Sequence, residues 1–268
     1  MSVVGTIALS DLSWPQVQEA IDNGSVVVVP VASTEQHGRH LPLETDARLC
    51  SSVAERACRA ALTEGTPVLM APTVWLGYSP HHMDFPGTMT LDSATFSAVV
   101  VAIGRSLWQH GFRKIFFLNG HGGNANLLRA AMQDLRFEHE IRAVAANYWD
   151  FALHFIEEWR QSGLGGINHA CEMETSLMLA VRPDLVDLSK AEDSHWFPRS
   201  PFLSEDLVIG APVSVNWSHA ELHPSGSLGD PRSSTAERGQ VLLDEIVGRV
   251  ATFLTEYAAW EWDHPLDL

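Results

Sequence analysis

The run SVVVVPVA, Ser25 to Ala32, restricts the possible folds of this chain more than any other feature. An apolar run without polar alternation is a strand buried on both faces, and such strands belong to parallel sheets covered by helices. Pro30 cannot donate to a ladder, which predicts a bulge or a strand end there. PVLMAPTVW (Pro67–Trp75), KIFFLN (Lys114–Asn119) and IRAVAANYW (Ile141–Trp149) read as further strands. Segments of helical period lie between and after them. They run from Thr45, as N-cap, to about Leu62, through LDSATFSAVVVAIGRSLWQHG, from about Asn124 to Phe137, from Cys171 to Ala180 and from Ser233 to Trp260. In the second of these, Asp92 or Ser93 is the cap and Gly111 the terminator. This alternation predicts an α/β fold with a mainly parallel sheet. Asp184 to Asp230 is rich in Pro, Ser, Trp and His without periodicity and reads as a loop excursion or lid. No repeat or linker divides the chain, so residues 1–268 read as a single domain.

Charge narrows the function classes. With a formal net charge of -16 and no basic patch, the chain would be repelled by nucleic acid and by anionic membrane surfaces. No apolar run approaches the ~20 residues that span a bilayer. The start MSVVGTIALSDLSW lacks a basic region and a cleavage site, so a cytoplasmic protein is expected. Cys50, Cys58 and Cys171 form neither an even set nor a CxxC pair, which fits a reducing compartment, and Cys50 and Cys58, in a segment of helical period, read as core fillers.

The chemistry concentrates where strands end. STEQHGRHLPLETDA, Ser33 to Ala47, follows the first strand, and NGHGGN, Asn119 to Asn124, follows a later one. Ligands of open parallel sheets collect beyond the carboxyl ends of the strands. Glu35 and His37 leaving one strand, Asp46 opening a helix and His121 leaving another strand would converge there. Two carboxylates and two imidazoles suit a divalent cation such as Zn, Mn or Fe(II). With the Asp bridging, they suit two cations about 3.5–4 Å apart. Each residue also has an ordinary reading as a solvated or hydrogen-bonded loop side chain, and NGHGGN as a tight turn.

STEQHGRHLPLETDA, FPGTMTL, NGHGGN, HACEMETS and GDPRSSTAERG, in this order, resemble the motif series of the creatininase (creatinine amidohydrolase) family. The resemblance runs from about Val26 to the last helix. It implies a three-layer α/β/α subunit, a homo-oligomer, often a hexamer, and a binuclear metal site that hydrolyses an amide C–N bond. It also implies that Glu35, His37, Asp46 and His121 are metal ligands, with Asp46 in the bridging place. The chain departs from true creatininases at Gly123, where those enzymes carry a ligand Glu. NGHGGN is more similar to family branches that include formamide deformylases and the peptidase trimming the mycofactocin precursor. Glu174, or as second choice Glu172, would replace the missing ligand.

Under the same resemblance, His169 or Glu174 would protonate the departing nitrogen, with Glu172 again the second choice. Ser79, His82 and Gly122 would lie beside the substrate, and His81 stands where relatives often carry an acidic residue. Trp149, Trp159, Trp196 and Trp217 are either lid or pocket residues or core aromatics. Glu157 and Glu158 read as a solvated helix face. The resulting expectation is a metal-dependent amidohydrolase acting on a small amide, a cyclic amide or a peptide. Its rivals are a peptide-maturation peptidase and a catalytically idle, metal-stabilised binding scaffold.

Overall fold

The computed structural model describes residues 5–194, 200, 202–204 and 206–262. Its strands are β1 (Val26–Val31), β2 (Val68–Met70), β3 (Lys114–Asn119) and β4 (Val144–Asn147). Its helices are α1 (Trp14–Asp22), α2 (Thr45–Thr63), α3 (Ser93–His110), α4 (Ala125–Glu138), α5 (Leu153–Trp159), α6 (Glu172–Val181), α7 (His219–Leu222) and α8 (Ala236–Ala259). The strands pair in the order β2-β1-β3-β4, and every pairing is parallel. All six residues of β1 are buried, as a two-sided strand requires.

Alternation along β1 and β3 sorts the core into two halves. Val26, Val28, Phe116 and Leu118 point into one cluster with α2, α6 and α8 residues such as Val53, Leu177 and Ile246. Val27, Val29, Ile115 and Phe117 point into the other, with Ala20 of α1, Phe96 of α3 and Leu128 of α4. The result is the expected three-layer α/β/α arrangement with a parallel sheet. On the first face α6 and α8 touch backbone to backbone: a Cβ built on Gly239 would lie 1.7 Å from the Ser176 carbonyl oxygen, so only glycine fits.

Several local expectations change. The strand does not bulge at Pro30 but stays paired through Pro30↔Leu118 and Val31↔Asn119. The Pro30 carbonyl accepts from Val74 N at 2.9 Å, so its nitrogen faces the β2 edge. That edge has lost its strand after Met70, and no ladder donor is needed there. The strand expected over Pro67–Trp75 shrinks to three residues plus an isolated Val31↔Val74 bridge. Thr45 is the first helical residue rather than the N-cap, because its hydroxyl donates to the Pro42 carbonyl at 2.7 Å. Asp92 does cap α3, accepting from Thr95 N, and Gly111 closes it at φ 112°. The three cysteines are free and buried. Among the described residues, no helix is long and apolar enough to cross a membrane.

Candidate metal centre

Four strand and helix ends deliver the polar side chains to one place. Glu35 and His37 follow β1, and Asp46 sits in the first turn of α2. His121 follows β3, and Glu174 sits in the first turn of α6. Glu35, His37, Asp46, His121 and Glu174 are all buried. Helix N-termini favour the two first-turn carboxylates. Asn119 and Asn124 hold the glycine turn: Asn119 Nδ2 donates to the His121 carbonyl at 2.6 Å, and Asn124 Nδ2 donates to the Ala32 carbonyl at 3.1 Å. The turn after β3 is thus fastened to the end of β1.

Two overlapping ligand sets emerge, Glu35–Asp46–His121 and His37–Asp46–Glu174, each with one donor atom per residue within 4.8 Å of the others. Asp46 belongs to both. Its Oδ1 is 2.9 Å from His37 Nε2, and its Oδ2 is 3.0 Å from His121 Nδ1. Glu35 Oε1 lies 3.2 Å from His121 Nδ1, and Glu174 Oε1 lies 3.9 Å from His37 Nε2.

The remote ring nitrogens fix the tautomers. His37 Nδ1 is 3.1 Å from the Glu35 carbonyl oxygen, and His121 Nε2 is 3.1 Å from the Tyr78 carbonyl oxygen. Carbonyls only accept, so those nitrogens carry hydrogens. The neutral rings then present lone pairs to carboxylate oxygens, a repulsive pairing unless a proton or a cation stands between. Without a cation, protons fill the role. Burial alone would lower His37, but Asp46, Glu174 and Glu35 outweigh it and push it up to about 9. Burial opposes charge on His121 too, yet Glu35 and Asp46 hold it well above the usual imidazole range. Burial would raise Glu35, and His121 and His82 more than offset this, leaving it well below the carboxylate range. Glu174 goes the other way: burial, with Asp46 and Glu35 nearby, overrides His37 and raises it to about 7.

The residues fit divalent cations by a second criterion. Both oxygens of Glu35 and Oδ2 of Asp46 are buried without a directed hydrogen bond. Buried carboxylate oxygens are rarely left so, because desolvation without a partner is costly. Imidazoles whose far nitrogen is held by a carbonyl are the usual preparation of metal-ligating histidines.

The remaining expected residues fall around this cluster. Glu172 is not brought to it: its carboxylate accepts from Gln161 N, Ser162 N and Arg238 Nη2 on the α8 side. His169 packs on His37 with ring centroids 4.3 Å apart. Its Nε2 donates to the Gln36 carbonyl at 2.7 Å, which leaves Nδ1 unprotonated 3.7 Å from Glu35 Oε1. Burial, with His37 and His82 nearby, keeps this ring neutral. The residue after it, Ala170, adopts φ 51° and donates its N–H to Glu174 Oε2 at 2.5 Å. Such a left-handed non-glycine residue is strained, and here it aims a donor at the site. Ser79 is fully buried behind His121, 3.2 Å from its Nε2. His82 is buried against Glu35 and Gln36.

Gly123 leaves no room for a side chain. A Cβ there would stand 2.4 Å from His121 Nε2 and from the Tyr78 carbonyl oxygen, and 2.8 Å from His81 Cε1. The His81 ring stacks on His121 at 5.7 Å, in the room a longer residue 123 would claim.

A cavity of about 620 Å³ opens on the cluster and is lined by Glu35, Asp46, His121, Gly122, His169 and Glu174. The excursion covers it with Trp217, Ser218 and His219. Trp149 also lines it, Trp159 lies in the core, and Trp196 falls outside the described residues. Sequence reasoning missed Gln36 and His219. His219 lies in a stretch without periodicity, whereas Gln36 stands between two expected ligands and carried a signal in that place alone. Glu157 and Glu158 are exposed, as expected.

A three-layer parallel fold with carboxylates and imidazoles gathered at the carboxyl edge of the sheet makes this an α/β protein with a buried site suited to divalent cations. The creatinine amidohydrolase family profile matches residues 10–254, and the chain belongs to this creatininase family of amidohydrolases. It is 30% identical over 267 residues to the creatinine amidohydrolase of Pseudomonas putida, covering 94% of this chain and 97% of that one. It is 33% identical over 239 residues to the mycofactocin precursor peptide peptidase of Mycolicibacterium smegmatis, covering 84% and 83%. A solved manganese creatininase superposes with a TM-score of 0.78 at 29% identity, covering 95% of this chain and 100% of its own.

Proposed function

We propose that this protein hydrolyses the C–N bond of a small amide, a cyclic amide or a peptide with two divalent cations. One would be held by Glu35, Asp46 and His121, the other by His37, Asp46 and Glu174. The observation that carries this reading is the sharing of Asp46 between two buried ligand sets whose lone pairs face one another. Zn, Mn or Fe(II) suits such mixed nitrogen and oxygen donors. When bound, the cations supply Lewis acidity, lowering the pKa of water and polarising the amide carbonyl.

The chain's own groups do the rest. Asp46 holds the two ligand sets in register, and the Ala170 N–H fixes Glu174. His169 lines the cavity, and its Nδ1, unprotonated and 3.7 Å from Glu35 Oε1, takes the proton of the attacking water and returns it to the departing nitrogen. Gly122 leaves the cavity wall open beside His121, and Trp217, Ser218 and His219 of the excursion line the cavity.

A peptide substrate is the second reading. The cavity volume admits more than a small cyclic amide, and a peptidase relative matches along most of the chain. The test is chelator-sensitive turnover of creatinine, formamides and short peptides by metal-reconstituted protein. Turnover of one class, lost with chelator and restored by Mn or Zn, supports the proposal. Under one metal per chain after metal-replete purification, with no hydrolysis, would instead make the protein an idle scaffold. We expect a cytoplasmic homo-oligomer, a hexamer by family resemblance, which light scattering on the purified protein tests.

A further inference from the structure

Gln36 is buried between two expected ligands, and its side chain touches parts of the chain far apart in sequence. Its orientation is fixed at both ends: Oε1 accepts from Gly38 N at 2.9 Å, and Nε2 donates to the Gly226 carbonyl at 2.8 Å. The second Nε2 hydrogen has one acceptor in reach, His82 Nδ1 at 2.7 Å. The contact to His169 Nε2 at 3.1 Å is not one, since that nitrogen already donates to the Gln36 carbonyl. A donor at His82 Nδ1 forces the hydrogen of this ring onto Nε2.

His82 Nε2 faces Glu35 Oε1 at 3.1 Å. The contact is bent, because that oxygen accepts no directed hydrogen bond. It therefore places the polar N–H edge of a neutral ring beside the carboxylate and leaves the oxygen's lone pairs free. With the opposite tautomer, a lone pair would face Glu35 and push it away. Both His82 nitrogens are thus committed, which removes this ring from the His81–His82–His219 group as a cation ligand.

We propose that Gln36 is a positioning residue that acts through His82: it selects the His82 tautomer that holds Glu35 in place for the Glu35–Asp46–His121 cation. Its backbone carbonyl does the same for His169, turning Nδ1 toward Glu35 Oε1. Through Gly226, the same amide ties this alignment to the excursion that carries His219, whose Nδ1 donates to the same carbonyl at 2.9 Å. A Cβ on Gly226 would lie 2.3 Å from Gln36 Oε1, so the excursion backbone seats directly on this side chain.

The proposal rests on the metal-dependent reading, and its test separates the two. Gln36→Glu presents only acceptors to His82 Nδ1 and should move the His82 hydrogen to Nδ1. Ring 15N spectra of the folded protein read that shift, which a merely structural role would not produce. Titration with Mn(II) should show one of two sites weakened about 10–100-fold, the range for partners of metal ligands, with the other unchanged. His82→Phe should weaken the same site, and adding Gln36→Met to His82→Phe should change nothing further. If Gln36→Glu does not fold, the wild-type His82 tautomer and the His82→Phe titration decide alone. Wild-type His82 carrying its hydrogen on Nδ1, unchanged affinities in Gln36→Glu, or a full Gln36→Met effect without His82 would overturn the proposal. A wild-type protein that binds no metal would instead overturn the proposed function.

Discussion

Glu172 and Glu174 stand two residues apart in the first turn of α6, both buried, and belong to opposite kinds of polar interior. On the α8 side, Glu172 accepts from Ser162 N at 2.8 Å, Gln161 N at 3.0 Å and Arg238 Nη2 at 2.7 Å. Next to it Asp206 accepts two Arg160 donors and Gly165 N. This region meets its charge from within the chain. In the crevice, both oxygens of Glu35 and Oδ2 of Asp46 have no directed hydrogen bond, and the imidazoles facing them have a lone pair to offer where a proton is absent. Buried polar groups without partners are costly, and the carboxylate oxygens left so lie in the crevice, on Glu35 and Asp46, while Glu174 takes the Ala170 N–H.

The sharpest way to break this contrast is Asp46→Ala. Removing the residue common to both ligand sets should abolish metal content and hydrolysis together, read by elemental analysis and turnover. A metal-loaded, active variant would remove the basis of the comparison. Arg238→Met attacks the other region. It strands a buried carboxylate, which typically costs about 3–5 kcal/mol. The Arg238 side chain is 23% exposed, so the low end, about 3 kcal/mol, is expected from denaturant unfolding. Metal per folded chain should not change. Lost metal with intact stability would mean that the two regions are one.

The same contrast marks what was legible in the sequence. The satisfied scaffold follows from pattern: β1, β3 and the long helices announce themselves by apolar runs and helical periods, and the structure keeps them within a residue or three. Short elements escaped or were misjudged. α1 went unread although Val17, Ala20 and Ile21 recur at helical spacing and Ser13 and Gln16 form a capping box with Pro15 behind it, because the segment is only nine residues long. β2 looked long because Pro67–Trp75 is apolar, yet only the part lying against β1 has a ladder partner. In the site, the metal-type residues were visible through their chemistry. The choice between Glu174 and Glu172 was not, because it depends on which face of one helical turn meets Arg238. Gln36 has no ionisable group and gains its importance from three partners, His82, Gly226 and His169, that no local pattern brings together.

Glu174→Gln and Glu172→Gln make a smaller but more direct comparison on a single helix. Glu174→Gln should weaken one cation by at least about tenfold, or about 1.4 kcal/mol, while the chelated protein loses no stability. The reason is that burial already holds Glu174 up at about 7, so its charged form is disfavoured in the fold. Glu172→Gln should do the reverse, lowering stability through the Arg238 contact and leaving metal affinity alone. Calorimetric titration and chemical unfolding of the two variants decide it.

The finest distinction is in pH. His37 has an ordinary value of 6.5 and is pushed up to about 9 in the fold, so its protonation favours folding. That stabilisation is complete below 6.5 and disappears as pH rises through about 9. Glu174, raised from 4.5 to about 7, acts in the same direction over a lower window. Chelated protein should therefore melt at progressively lower temperature between pH 7 and pH 10. Metal-loaded protein should not, because a ligating His37 is already deprotonated and its proton cannot be lost again. Equal slopes with and without metal would show that protons do not hold the places of the cations, and the crevice would then be as self-sufficient as the region behind it.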